Sequence, residues 1–216
     1  MHYLNSFRPL CHTKTGRLAI ERYGLPPFID SSCRREPDFQ ATFPSITALC
    51  RGKMFAPRLR EGDAVAYLTV KSRYPPEPFH HWRLVALLRV IRRFDSHRDA
   101  AGWYRGQSVP LPSNCLVEGN DCLPYELTAG PSPPDRFGDP ANTDEVLRKW
   151  DASYKLRMRK HGVFIVCERE FFEPNQPPMI TSELMLEIFR RTPSTQTPPG
   201  ISEEQYKAIA ALAGHP

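Results

Sequence analysis

Proline is the residue that most limits what this chain can become. It occurs 23 times in 216 residues, about twice its usual frequency of roughly 5%. Proline breaks helix interiors and cannot donate a hydrogen bond inside a sheet. The chain must therefore combine short elements with long ordered loops, and a helical bundle is excluded. A hydrophobic share of 40% and an aromatic share of 11% are enough for a packed core, which excludes wholesale disorder. An α+β fold is the expectation.

Lys and Arg number 29 against 24 Asp and Glu, a net charge of +5. So small an excess matters less than where it falls. No cleavable leader is legible at the start, and the longest apolar run, 84–88, is too short to span a bilayer. The six cysteines have no framework spacing and read as reduced thiols. Together these features predict a cytoplasmic protein with no membrane partner.

Hydrophobic periodicity and turn residues predict strands at 1–7, 17–23, 64–70, 82–94 and 163–169. Strand 82–94 is too long to stay flat without a bulge. Short helices are expected at 44–51, from a cap at Ser96 to 105, at 181–191 and at 202–213. The last opens with a capping box from Ser202 and Gln205. The strongest helix is 143–161, with Thr143 as its cap and Gly162 as a left-handed stop. Segment 24–43 has no period and is long enough to be a functional loop, and 107–139 reads as mostly loop. The expected division is an α+β body over 1–173 and a Pro-rich linker with a two-helix extension over 174–216.

Metal ligation needs paired ligands at short spacing. The chain offers only Cys115 with Cys122 and the adjacent His80–His81, which face opposite ways on an extended segment. No metal and no cofactor are expected. Glycine-rich phosphate loops and nucleophile elbows are absent, so no catalytic residue is assigned. Glu36 and Asp38 lie in the long loop and share a face if that piece is extended, beside Arg34 and Arg35, where a local salt bridge is the ordinary outcome.

The densest functional signal lies between the two best strands. Lys71, Arg73, Tyr74, Phe79, His80, His81, Trp82 and Arg83 put cations beside flat side chains. Recognition of phosphates and unpaired bases needs that mixture. The expected nucleic-acid site comprises Arg34, Arg35, Lys71, Arg73, Tyr74, His80, His81, Trp82 and Arg157, the last from the basic face of helix 143–161. Leu147, Trp150, Tyr154 and Met158 form the buried stripe of that helix.

Arg60-Glu61-Gly62-Asp63 before an apolar strand, then a basic-aromatic loop and strand 82–94, resembles the PUA-like superfamily, which includes the EVE and ASCH domains. The Pro26-Pro27-Phe28 loop and the 45–51 segment upstream are similar in layout to nucleotide modification-associated domains of phages and bacteria. The resemblance covers 3–104. It implies a small twisted β-barrel with surrounding helices, whose concave face takes a base or nucleotide, with Gly62 and Asp63 as a structural turn and 71–82 bordering the pocket. The expected function is a nucleic-acid-binding module, for DNA or RNA with an unpaired or modified base, associated with nucleic-acid modification or phage–bacterial conflict. Two alternatives stay open. One is an enzyme acting on nucleotides or nucleic acid, with segment 24–43 covering its site. The other is an assembly component that docks a protein partner through Leu184, Leu186, Ile188 and Phe189.

Overall fold

The computed structural model describes residues 1–131 and 141–214, so the part of the expected loop at 132–139 lies outside the described residues. The fold is α+β around one mixed sheet. The main strands are β1 (His2–Phe7), β2 (Ser45–Thr47), β3 (Ala64–Thr69), β5 (His80–Phe94) and β6 (Phe164–Phe172). Two-residue strands β4 (Ser72–Arg73), β7 (Met179–Ile180) and β8 (Gly200–Ile201) complete it. The path runs β2-β6-β5-β3-β1-β8, with β4 and β7 also paired to β5. β1 and β3 are parallel, and the other pairs are antiparallel.

The expected closure into a barrel is not found. Among the described residues β2 and β8 are the two ends of an open path. β5 is long enough to span the sheet because it bends, with register shifts at Leu87/Leu88 and Val90/Arg92 against β6. A register shift of one residue turns side chains to the opposite face.

Both faces are covered, so β3 reads as an unbroken apolar run. One face packs Tyr3, Phe7, Phe55, Val65 and Tyr67. The other packs Leu4, Ala66, Leu68, Trp82 and Leu84 against helices α4 (Ser182–Phe189) and α5 (Glu203–Ala211). The helices expected to dock a partner thus sit on their own sheet. Phe189 is buried and Leu184 and Ile188 are partly buried, while Leu186 stays exposed.

Two expected elements change type. Segment 17–23 belongs to helix α1 (Lys14–Tyr23), capped by the Thr13 side chain on Gly16 N and closed by Gly24 at φ +64. Segment 44–51 is β2 followed by turns. Ile46 and Thr47 suit a strand, β6 supplies the partner (Ile46 opposite Ile165), and the Ser45 hydroxyl donates to Asn114 instead of capping. Helix α2 (His97–Gly106) carries the expected Ser96 cap, and α5 has its capping box. In helix α3 (Thr143–Lys160) the cap is Asn142, one residue before Thr143. Gly162 is not left-handed. Its reason is close approach, since a Cβ there would sit 3.0 Å from the Asp95 carbonyl. No helix among the described residues is long and apolar enough to cross a membrane.

Candidate functional site

The residues expected to form one groove are divided among three environments. Arg34 is 1% exposed, with Nε 2.7 Å from Asp151 and Nη1 on the Ser113 and Asn120 carbonyls. Arg35 is buried too and donates to the Asp30 and Leu127 carbonyls. Both guanidiniums are spent on tying loops together and cannot hold phosphate. Neither bonds Glu36 or Asp38. Glu36 accepts from Thr47 and Asn114, while Asp38 accepts from Ser113 and from the Gln40 and Ala41 amides.

The loop between β3 and β5 forms the second group. Lys71, Arg73 and His80 are exposed. Tyr74 is buried and donates to the Val70 carbonyl. His81 is sealed in: its Nε2 receives Arg83 Nε, which leaves Nδ1–H to donate to the Phe79 carbonyl. Burial lowers its pKa, so the ring stays neutral. Trp82 packs with Ile180 and Met185, and the Lys71 ammonium lies 4.6 Å from its ring centre. Trp82 is thus on the face that carries α4 and α5.

On the opposite face lies a cavity of about 510 Å³, within the size range of small-ligand sites of roughly 300–1,000 Å³. Of the expected residues only Arg157 lines it. Several distant pieces of chain build it. β1 contributes Asn5 and β3 contributes Tyr67, neighbours in the parallel register. Segment 30–38 supplies Asp30, Ser32 and Glu36. α3 supplies Trp150, Tyr154 and Arg157, which four- and three-residue steps place on one helix face. Arg8 and Arg51 also line it.

Depth sorts these groups by chemistry. Asn5, Asp30, Ser32, Glu36 and Thr47 are buried polar groups and make the floor. Arg8 is exposed and Arg51 and Arg157 are half-buried, so cations mark the rim. Arg51 donates to the Ser6 carbonyl at 2.8 Å and Arg157 to the Leu49 carbonyl at 2.7 Å. Neither has a carboxylate partner among the described residues, and a guanidinium has five N–H donors. Arg157 also stacks 5.5 Å from the Tyr154 ring centre.

Burial is the main influence on every titratable group of the floor. It pushes Glu36 up to about 8 despite bonds from Thr47 and Asn114, and it raises Asp30 against donors from Ser32 and Glu36 N. With Glu36 protonated at neutral pH, three rim arginines outweigh the floor acids and the cavity favours anions. Cys50 lines the cavity and is exposed as a residue, while desolvation by the protein packed about its thiol, with Glu36 and Asp30 nearby, raises its pKa. A thiol kept protonated is a poor nucleophile. Among the described residues no three His, Cys, Asp or Glu converge as a metal ion would require.

Asn5, Asp30, Arg51 and Tyr67 were not legible as site residues. Each lies in a strand, a turn or an apolar run, and only tertiary contact brings them together. The one signal was the length of loop 24–43. Comparison of the chain with family models, curated proteins and solved structures gives no match in any of the three.

Proposed function

We propose that the protein is a nucleic-acid-binding module that draws one unpaired, flipped or modified base into the 510 Å³ cavity. A single observation carries this reading: one concavity combines a cationic rim (Arg8, Arg51, Arg157), an aromatic wall (Trp150, Tyr154) and a hydrogen-bonding floor (Asn5, Asp30, Glu36). Phosphate, the flat base and its polar edge call for those three chemistries in that order of depth. A PUA-like relationship for 3–104 belongs to the same proposal. It rests on the Arg60–Asp63 turn leading into β3 and on the order of β3 and β5.

Fluorescence anisotropy with single-stranded, duplex and modified oligonucleotides tests the reading. Wild-type binding is expected to weaken with salt. Arg51→Gln and Arg157→Gln should each weaken it by roughly tenfold at low salt and reduce the log–log salt slope by about one. Lys71→Ala and Arg73→Ala, on the exposed loop, should change little. If the loop variants abolish binding and the cavity variants do not, the cavity is the wrong site. If no oligonucleotide binds, the reading fails.

Glu36 supports a second reading as an enzyme, because a carboxyl that titrates near neutrality inside a pocket is the kind of group used for proton transfer. Time-resolved chromatography of nucleotides and oligonucleotides incubated with the protein would reveal turnover. Unchanged substrates would leave binding as the function.

A further inference from the structure

Asp and Glu are missing from two long stretches of the chain, 39–60 and 152–167, each of which carries four Lys or Arg. The fold lays these stretches side by side at the mouth of the cavity. Arg157 Nη1 donates to the Leu49 carbonyl at 2.7 Å. Further along the same turn, a Cβ on Gly52 would lie 3.6 Å from the His161 ring. The turn after β2 thus runs along the last turn of α3.

Arg51 and Arg157 belong to the cavity rim. Lys53 follows in the same turn, while Lys160 and His161 stand three and four residues beyond Arg157, on its side of the helix and about 5 Å further along the axis. Lys149, Lys155 and Lys207 are each paired with an acid four residues earlier, Glu145, Asp151 and Glu203. Lys160 has Leu156 at that place. Lys53 and Lys160 are exposed, and neither has a carboxylate partner among the described residues. Asp95, whose backbone meets Gly162 at the end of this strip, is paired with Arg93 at 2.7 Å. The positive charge of the rim therefore continues outward by one helical turn.

Resting on the nucleic-acid reading above, we infer that the cavity takes one nucleotide of a strand and not a free nucleotide, and that the flanking phosphates leave past Arg51 and Arg157 over Lys53 and Lys160. A free nucleotide is served by the rim cations alone, whereas charge that continues past the mouth can be matched only by a polyanion. One turn of about 5 Å is room for one or two further nucleotides at about 3.4 Å of strand each. Lysines placed there neutralise phosphate and add affinity without choosing a sequence.

Anisotropy is measured over a range of salt with the labelled oligonucleotide that the wild type binds best, and the matching nucleoside monophosphate is added as an unlabelled competitor. Lys53→Gln and Lys160→Gln should each lower the log–log salt slope by about 0.7–0.9, the value for one phosphate, and weaken oligonucleotide binding several-fold at low salt. The monophosphate should compete far more weakly than unlabelled oligonucleotide, with an inhibition constant the same in wild type and variants. Lys207→Gln, on α5 at the other face of the sheet, should change neither quantity. Thermal unfolding confirms that each variant is folded. Unchanged salt slopes in both lysine variants, an equal loss for oligonucleotide and monophosphate, or a monophosphate that competes as well as the oligonucleotide overturns the inference and leaves the cavity as a nucleotide site. Failure of every oligonucleotide to bind the wild type overturns both.

Discussion

Glu36 shows how one buried side chain makes stability depend on pH. Its oxygens receive Thr47 N at 2.7 Å, Asn114 Nδ2 at 3.0 Å and the Thr47 hydroxyl, yet burial still dominates and raises its pKa from 4.5 to about 8. The folded state therefore holds a proton that the unfolded chain has released between about 4.5 and 8, and stability must fall as pH rises through that window. The slope from this residue approaches about 1.4 kcal/mol per pH unit. Glu36→Gln cannot ionise and is expected to flatten the profile, with the variant the more stable protein above about pH 8. Melting temperatures of both proteins across the window check this, and parallel profiles would refute it. From sequence, Glu36 reads as one of a surface carboxylate pair beside two arginines. Its burial, and its choice of Thr47 and Asn114 over Arg34, follow from contacts 11 and 78 residues away.

At the scale of elements, segment 24–43 and α3 depend on each other. The loop has no period because its bonds follow neither helix nor strand: some close locally, as Ser32 and Glu36 N on Asp30, and others reach distant groups. Arg34 reaches Asp151 on α3 and two carbonyls of the 113–120 segment, and Asp151 is shared with Lys155. Removing one partner from a buried ion pair leaves an uncompensated charge. Arg34→Ala is expected to destabilise the protein by about 3–5 kcal/mol, read from the shift in denaturant midpoint. A loss below about 1 kcal/mol, typical of an exposed charge, would mean that Arg34 is free in solution. Apolar and capping patterns located β1, β3, β5, α2, α4 and α5. They failed where local signals compete. In 17–23, Leu18 and Ile20 alternate as a strand would, but Thr13 and Gly24 close a helix around them. In 44–51, a serine placed as a cap is drawn off to Asn114.

At the scale of the whole molecule, the last stretch of chain completes both faces of the sheet. Tyr206, Ile209 and Ala210 of α5 join Leu4 and Leu87 in one apolar cluster. Before α5 the chain bonds back at Pro199 O to Leu4 N and at Thr195 Oγ1 to Ser6 Oγ, and Thr195 and Gln196 become part of the cavity wall. Ile209 is fully buried, so Ile209→Ala should cost about 2–5 kcal/mol, measured by chemical denaturation. A cost under about 0.5 kcal/mol, as at a surface position, would show that α5 does not dock. Proline content, apolar runs and caps were sufficient, by themselves, to determine an α+β chain of short elements, its two central strands and most helix boundaries. Those signals act within a few residues, where backbone sterics and side-chain period decide the outcome. Only the tertiary structure decided that the sheet stays open, that Arg34 and Arg35 are internal ties, and that Asn5, Asp30, Tyr67 and Arg157 share a cavity. Each of those depends on burial and on hydrogen bonds between residues far apart in the chain, and no local pattern encodes which buried polar group will find which partner.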